Sequence, residues 1–345
     1  MTIARRTTVP PAGEQSEQTV REVRPWRDAT RDVLANRAAL VALIILVIIV
    51  LVSLLAPLYA SHVAHTNPFT SNVQGSIVVD GKKVDVMQQS ATGLGVTPIG
   101  PTWHSRYFLG ADGQGRDVMA RVLYGGRVSL LIGSVSAAIC CFVATALGII
   151  AGYMGGLVDG ILSRLFDVVW AFPVYLLAIC LSIVLLTSTL TIGPISIGSG
   201  SLALPIAIIS VIYVPYVARP IRAQVKSLRE RMFIQAARSV GSSNWRIIRR
   251  DVLPNVLPSV IVYFPIMMAL NILIAASLSF LGVGVQPPRA AWGTIINDGL
   301  PLLYTRPLVS LAPGVMIALT CVALNLLGDS LRDALDPGSK VRVGS

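Results

Sequence analysis

The chain has 345 residues, of which 54% are hydrophobic and only 13% are charged, and its mean hydropathy is +0.70. These values exclude an ordinary soluble globular protein and predict an all-α polytopic membrane protein. The 28 lysines and arginines outnumber the 17 acidic residues and give a formal net charge of +11. We attribute this excess to membrane topology and to contact with anionic membrane lipids, and we expect no nucleic-acid partner.

Residues 1–37 are rich in Pro, Gln, Glu and Arg, a composition typical of disordered segments. The apolar run that follows, residues 38–60, contains no charge and is long enough to cross a bilayer. A cleaved signal peptide has a much shorter apolar core, so this run is expected to remain in the protein as the first transmembrane helix. The preceding segment is then predicted to be cytoplasmic and mostly disordered.

Residues 61–127 form a long segment that we place outside the membrane. An Asp-Gly pair at 80–81 separates two β-prone runs, 77–79 and 82–86, and this pattern favours a small β-hairpin. Residues 117–127 have apolar side chains at helical spacing. They predict an amphipathic helix that lies on the membrane before the second span.

A core of five further transmembrane helices is predicted over residues 128–330. The apolar stretches that define them are 128–151, 168–190, 202–217, 256–283 and 308–327. Together with the first helix they make six spans, an even number that places both termini on the same side. Lysine and arginine concentrate in the segments on that side, so both termini are expected in the cytoplasm, with residues 331–345 as a cytoplasmic tail.

Motifs for catalysis and nucleotide binding are missing from the sequence. The histidines His62, His65 and His104 all lie in the external segment, and no G-x-x-x-x-G-K-[ST] pattern is present. The four cysteines lie inside predicted spans and indicate neither a disulfide framework nor a metal or redox pair. We therefore expect a chain that is not an enzyme and that binds no metal or cofactor.

One charged pair is predicted near the membrane. Asp167 lies close to the inner end of the third predicted span, three residues after Arg164. The two are candidates for an intramembrane ion pair. A structural role is favoured over a proton relay, because a single carboxylate makes a poor relay.

The cytoplasmic loop 222–255 contains a basic helix pair. Over residues 221–240 the apolar positions recur in steps of three and four, which predicts one face of a single helix. Gly241 is suited to end that helix in the left-handed conformation. A second helix is predicted over 245–253, until Pro254 interrupts it. The residues that can cap this second helix are Ser242, Ser243 and Asn244.

The surface of this helix pair is small and positively charged. Ala236 and Ala237 next to the turn allow another protein to approach the backbone, and Arg246, Arg249 and Arg250 surround them with charge. Such a loop is either a docking surface or an ordinary basic loop held by topology and lipid phosphates. Its periodicity alone does not decide between the two.

The spacing Ala236-Ala237-x-x-x-Gly241, followed twelve residues later by Leu253-Pro254, resembles the EAA loop of importer-type ABC permeases. Three further segments resemble dipeptide and oligopeptide permeases of the second, "C" type within that family. They are 108–130, 278–293 and 325–337. The resemblance covers most of the chain from about residue 108 to residue 339 and implies a type I ABC importer permease fold.

In that family the loop docks in a cleft of a cytosolic ATPase and transmits its closure to the spans. The resemblance implies this role for Gln235, Ala236, Ala237, Gly241, Asn244, Trp245, Arg246, Leu253 and Pro254. Three positions depart from the family pattern: Gln235 and Ala275 stand where Glu is usual, and Asp251 replaces an aliphatic residue. Without a carboxylate at 235 a charge-assisted contact is lost, although glutamine still accepts a hydrogen bond.

The function implied by the resemblance is that of a transmembrane permease subunit in an ATP-driven importer of di- or oligopeptides. The implied partners are a second homologous permease, two cytosolic ABC ATPase subunits that use ATP and Mg²⁺, an extracytoplasmic substrate-binding protein, the peptide and membrane lipids. The implied location is a bacterial cytoplasmic membrane. The alternatives are an ion-coupled secondary transporter for small solutes and an ABC importer for nickel or another non-peptide solute.

Overall fold

A computed structural model of the protein describes residues 31, 33–79, 81–89, 95–187, 190–192, 195–197 and 200–335. Most of the predicted disordered N-terminal segment and of the predicted cytoplasmic tail lies outside these residues. Both therefore stay predictions.

The described residues are mainly helical, which confirms the predicted all-α class. The helices are α1 (Arg37–Leu54), α2 (Val118–Met154), α3 (Gly156–Trp170), α4 (Val174–Thr187), α5 (Ala203–Ile212), α6 (Val214–Arg229), α7 (Met232–Ser239), α8 (Asn244–Ile247), α9 (Leu253–Phe280), α10 (Trp292–Gly299) and α11 (Leu308–Leu335). Shorter helical turns cover Ala56–Leu58, Tyr59–Val63, Ile248–Val252 and Leu300–Leu302. Within the described part of the chain, five helical segments are long and apolar enough to cross a membrane, and the bent pair α3–α4 gives a sixth.

The core of the fold is built around the long helix α2. Several of its glycines lie directly against neighbouring helices. A Cβ atom at Gly148 would lie 2.9 Å from the carbonyl oxygen of Ala218, and one at Gly152 would lie 2.7 Å from that of Arg222. At Gly133 an added Cβ would clash with the side chain of Ile272 in α9. Small residues thus let α6 and α9 pack directly on α2, as is usual between helices in a bilayer.

The predicted β-hairpin is confirmed in the segment between α1 and α2. Strand β1 (Ser76–Val79) pairs antiparallel with β2 (Lys82–Asp85), and Val79 lies opposite Lys82. Asp80, one of the two predicted turn residues, lies outside the described residues. Two further hairpins, β3 (Met87–Gln89) with β4 (Val96–Pro98) and β5 (Leu190–Ile192) with β6 (Ile195–Ile197), are not indicated by the sequence pattern.

The structure differs from the predicted amphipathic helix at 117–127. Those residues are the N-cap and first turns of α2, and most of their side chains are buried. Asp117 caps the helix by accepting a hydrogen bond from the amide of Ala120 at 3.1 Å. Trp292 of α10 covers the same turns, and its indole Nε1 donates to the carbonyl oxygen of Val122 at 3.0 Å. The apolar face predicted to contact lipid therefore contacts protein.

The third predicted span, 168–190, is also divided differently. Helix α3 ends at Trp170, α4 begins at Val174, and the two helices differ in direction by 86°. Pro173 lies at this break, where it lacks the amide that would continue the helix. The new direction lets α3 run beside α6, to which Asp159 is tied by ion pairs with Arg222 and Lys226.

Candidate functional site

The basic loop, defined here as residues 230–252, is the main candidate. Helix α6 ends at Arg229 and α7 begins at Met232, so the single helix predicted over 221–240 is wrong. Arg231 between them is extended, with φ −71° and ψ 144°. Because α6 and α7 both bury apolar side chains, the helical spacing of apolar residues continues across Glu230 and Arg231. The sequence pattern therefore does not indicate that the helix ends there.

The end of α7 follows the sequence prediction. Gly241 has φ +82°, the left-handed conformation. Its amide donates to the carbonyl oxygen of Arg238 at 2.9 Å, and the amide of Ser242 donates to that of Ala237 at 3.1 Å. These two bonds close the α7 C-terminus and reverse the chain direction.

The second helix differs from the prediction in its end. Ser243 is its N-cap residue, and α8 begins at Asn244. A π-helical turn over Ile248–Val252 then joins α8 to α9, where Pro254 occupies the first turn. Pro254 therefore does not interrupt the helix: its missing amide falls directly after the π-helical turn, and local π adjustments of this kind accommodate prolines in membrane helices.

The exposed face of the basic loop combines large apolar side chains with arginines. Met232 and Val240 are each 85% exposed, Trp245 is 71% exposed, and Phe233 is 45% exposed. The exposed arginines of the loop are Arg231, Arg238, Arg246, Arg249 and Arg250. Only two acidic residues, Glu230 and Asp251, lie in this loop, so its surface is positively charged.

The loop is nevertheless anchored to the helical core. Ile234 and Ile247, one from each helix of the pair, are fully buried in the main hydrophobic cluster. Tyr153, near the end of α2, donates its hydroxyl hydrogen to Oδ1 of Asn244 at 3.1 Å, and Arg238 stacks 5.0 Å from its ring centroid. Sequence reasoning missed Tyr153, since no local pattern links it to a residue 91 positions away.

The sequence-predicted docking residues are brought to one end of the molecule but not to one uniform surface. Gln235, Ala236, Gly241 and the segment Asn244–Arg246 are exposed, Ala237 is half-buried, and Leu253 and Pro254 are exposed at the start of α9. Nε2 of Gln235 donates to the carbonyl oxygen of Glu230 at 3.1 Å. A glutamate could not donate this bond, so the glutamine supports the break between α6 and α7 in a way that the usual family residue would not.

The predicted Arg164–Asp167 ion pair is corrected by the structure. Asp167 pairs with Arg219 of α6, whose Nη2 lies 2.7 Å from Oδ1 of Asp167. The side chain of Arg219 also stacks 5.0 Å from the ring centroid of Trp170. Arg164 is exposed on α3. A spacing of three residues allowed contact within α3, but α6 supplies a partner that the sequence could not show.

A second cluster of charges lies at the other end of α2 and is buried. Arg116 contacts Asp112 through Nε at 2.8 Å and Asp298 through Nη2 at 2.9 Å. Arg121 contacts Asp112 and, at 2.8 Å, the same oxygen of Asp298. The side chain of Asp112 is inaccessible to solvent, and those of the two arginines are 8% and 3% exposed. The cluster ties the start of α2 to α10.

The neighbouring carboxylate of Asp117 is also buried. It accepts hydrogen bonds from the amides of Ala120 at 3.1 Å and Tyr107 at 3.0 Å. Burial nevertheless raises the pKa of this carboxyl above its ordinary value, because desolvation of the charge outweighs these bonds. Among the described residues, Asp117 thus holds the segment before α2 through hydrogen bonds without a cationic partner, whereas Asp112 and Asp298 in the neighbouring cluster each contact two arginines.

Comparisons with known proteins cover both halves of the chain. The family described as "Binding-protein-dependent transport system inner membrane component" matches residues 144–341, and the "N-terminal TM domain of oligopeptide transport permease C" matches residues 24–74. The dipeptide transport system permease protein DppC of Alkalihalophilus pseudofirmus is 36% identical over 96% of this chain and 96% of its own length. The glutathione transport system permease protein GsiD of Pectobacterium atrosepticum is 39% identical over 68% of this chain and 74% of its own length.

The fold has a counterpart among solved structures. An inward-facing structure of the MetNI methionine ABC transporter contains a chain that is 18% identical and has a TM-score of 0.50. The likeness covers 63% of this chain and 97% of that one. It shows a shared helical fold over that part.

Proposed function

Because this chain belongs to the family of binding-protein-dependent transport system inner membrane components, a family of transport subunits rather than enzymes, we propose that it is the permease subunit of an ATP-driven importer of di- or oligopeptides. It forms half of the translocation pathway together with a second homologous permease. Two cytosolic ABC ATPases use ATP and Mg²⁺, and an extracytoplasmic binding protein delivers the peptide. The importer resides in a bacterial cytoplasmic membrane with both termini of this chain in the cytoplasm.

The observation that carries the proposal is the surface of the basic loop. We call the coupling surface the exposed side chains of Met232, Phe233, Val240 and Trp245 together with the five exposed arginines of the loop. Tryptophan and arginine are the residue types that contribute most binding energy in protein interfaces. Exposed side chains of these types in a loop between spans are suited to a protein partner.

The connection between this surface and the spans is direct. Helix α8, the π-helical turn and α9 form one continuous helical segment, Asn244–Phe280, so the coupling surface continues into a span without a flexible linker. On the other side, α7 is joined to α6 by only Glu230 and Arg231. A shift of a docked ATPase is therefore passed to α6 and α9 as a rigid-body movement of packed helices.

Position 235 gives the proposed contact a particular chemistry. Gln235 is neutral, and a hydrogen bond that it accepts from an ATPase arginine is roughly half as strong as one accepted by a carboxylate. We expect docking to depend on Trp245 and its apolar neighbours more than on this position. The contact in the ATPase cleft is then polar rather than ionic.

The first experiment tests docking. The tagged chain is expressed with its partner permease and ATPases, extracted in mild detergent and assayed for bound ATPase. Trp245→Ala is expected to weaken ATPase binding about 30-fold, the effect of losing roughly 2 kcal/mol at an interface hot spot. Trp103→Ala is the matched control, since Trp103 is 64% exposed but lies in the segment before α2. Equal ATPase binding in both variants would show that the coupling surface is not the site of ATPase docking.

The second experiment tests position 235 through binding-protein-stimulated ATPase activity in proteoliposomes. Gln235→Glu is expected to strengthen coupling if the partner presents an arginine, and Gln235→Ala is expected to weaken it by a few-fold at most. If neither variant changes coupling, this position makes no contact with the ATPase.

The third experiment identifies the cargo. The relatives named above are described as dipeptide and glutathione permeases, and these names support a peptide substrate for this chain. A strain without this gene is tested for uptake of labelled peptides of two to six residues and of nickel. Loss of peptide uptake is expected; loss of nickel uptake alone would assign the chain to a non-peptide importer.

A further inference from the structure

A cavity of about 420 Å³ lies at the end of α2 that is remote from the coupling surface. It is bounded by the start of α2, by the connection between α9 and α10, and by α10 itself. The residues used below to define it are Arg116, Arg121, Gln286, Arg289, Asn297 and Asp298. Its volume falls within the range of roughly 300–1,000 Å³ that is usual for sites of small organic ligands.

The cavity presents an arginine that the protein uses little. Arg289, in the lining, is exposed and makes only a long bond of 3.4 Å from Nη1 to the carbonyl oxygen of Gly200. Arg121 also lines the cavity, but this side chain is only 3% exposed and is held by ion pairs with Asp112 and Asp298.

The cavity also presents a carboxylate. Asp298 is 39% exposed and contacts both Arg116 and Arg121 through the same atom, Oδ2. It is the more accessible of the two carboxylates in the cluster, and it lines the cavity. Asp112, the other acidic member of the cluster, is fully buried behind the arginines and does not line the cavity.

Guanidinium groups and a carboxylate in one small cavity fit a ligand that carries both charges. We propose that this cavity binds the two charged ends of a dipeptide: Arg289 receives its C-terminal carboxylate, and Asp298 receives its N-terminal ammonium group. The side-chain nitrogens of Gln286 and Asn297 donate to backbone carbonyl oxygens of the protein, so these residues offer their amide oxygens to the N–H of a peptide bond. The proposal rests on the proposed function, since under that topology this end of α2 faces the binding protein that delivers the cargo.

The assembled importer in lipid nanodiscs, without binding protein and without ATP, is titrated with L-alanyl-L-alanine by isothermal calorimetry. N-acetyl-alanyl-alanine and alanyl-alanine amide, which each lack one charge, are titrated in parallel. The zwitterion is expected to bind, and each capped peptide is expected to bind at least tenfold more weakly. Absence of binding, or equal binding of all three peptides, would overturn the proposal.

Substitution then assigns the two ends. Arg289→Gln is expected to weaken binding of the zwitterion about tenfold and to leave binding of the C-terminal amide unchanged. Arg106→Gln is the matched control, because Arg106 is an exposed arginine of the segment before α2 that does not line the cavity. Asp298→Asn is expected to remove the preference for a free ammonium group. Its effect on folding is followed by thermal unfolding, and Arg289→Gln decides the outcome if Asp298→Asn does not fold.

The result is separable from the proposed function. If the importer transports dialanine with its binding protein but none of the three peptides binds in calorimetry, the proposed dipeptide site is wrong and the proposed importer function is retained. If the chain recruits no ATPase, the importer function fails, whatever the calorimetry shows. An Arg289→Gln variant with unchanged selectivity would show that Arg289 does not receive the carboxylate and would overturn the proposal.

Discussion

The two ends of α2 use arginine in opposite ways. At its start, Arg116 and Arg121 are almost fully buried and each contacts two carboxylates. At its other end, the arginines of the basic loop are exposed and lie around apolar side chains that are also exposed. The 37 residues of α2 separate the two regions by about 55 Å, at 1.5 Å per residue.

This difference shows that burial, rather than residue type, decides what a charge can do. A guanidinium group removed from water is tolerated only with compensating partners, so most of its interaction energy is used inside the protein. An exposed guanidinium keeps its hydrogen-bonding capacity for another molecule. Substitutions in the first region are therefore expected to affect folding, and substitutions in the second to affect coupling to partners.

The largest effect is expected from Asp112→Asn. It removes the buried charge that both Arg116 and Arg121 contact, and breaking such a cluster costs about 3 kcal/mol. The free energy of unfolding in detergent, measured by denaturant titration, should fall by that amount. Asp298→Asn is the matched control and should cost about 1 kcal/mol, because its side chain is 39% exposed. If Asp112→Asn lowers the free energy of unfolding no more than Asp298→Asn does, the contribution of the charges at the start of α2 does not depend on their burial.

A smaller effect is expected from Gly241→Ala. The new Cβ would meet no atom within 4 Å, but a φ of +82° strains any L-residue by roughly 1–2 kcal/mol. Hydrogen exchange of the amides in α7 and α8 should accelerate about tenfold, and binding-protein-stimulated ATPase activity should fall. Gly113→Ala serves as control, since Gly113 has equally open surroundings without a positive φ. Unchanged exchange at Gly241→Ala would mean that the turn is not rigid.

Tyr153→Phe should loosen the basic loop without altering its exposed surface. The change removes the hydrogen bond to Asn244 and keeps the ring beneath Arg238, at an expected cost of about 1 kcal/mol. Exchange of the α8 amides is expected to rise several-fold while the melting temperature changes little. Tyr304→Phe, at a residue that is 99% exposed, should have no effect. A fall in the melting temperature equal to that of Asp112→Asn would contradict the assignment of Tyr153 to local anchoring.

The smallest effects are expected at the exposed pair near the α3–α4 break. Arg219→Gln removes the contact with Asp167, whose side chain is 70% exposed, and should cost about 0.5 kcal/mol. Arg164→Gln should cost nothing measurable. Thermal unfolding at low ionic strength compares the two variants. A larger loss for Arg164→Gln would restore the ion pair that the sequence predicted.

Much of the fold could be predicted because it depends on local patterns. Long uncharged runs define the spans, the Asp-Gly pair at 80–81 marks the first hairpin, and Gly241 marks the end of α7. These signals work because bilayer thickness, turn geometry and the left-handed conformation each constrain only a few neighbouring residues.

The errors arose where a local pattern had two tertiary solutions. An apolar helical face at 117–127 can contact lipid or protein. In the structure it contacts protein, because Trp292 packs against it. The apolar periodicity across 221–240 is compatible with one long helix or with two consecutive helices that each bury an apolar face. The structure has two helices, and Ile234 is buried by the second, α7. Pro254 can end a helix or begin a segment of one, and the preceding π-helical turn selects the second arrangement.

The amino-acid pattern alone identifies a membrane-spanning helical protein with a basic loop whose spacing resembles that of importer permeases. Which charges are buried and which remain exposed follows from the packing of the helices. Arg116 meets Asp298 across 182 residues, and Tyr153 meets Asn244 across 91. Such contacts depend on how helices pack against one another, since the choice of a distant partner is made by shape and desolvation in the assembled core rather than by neighbouring residues.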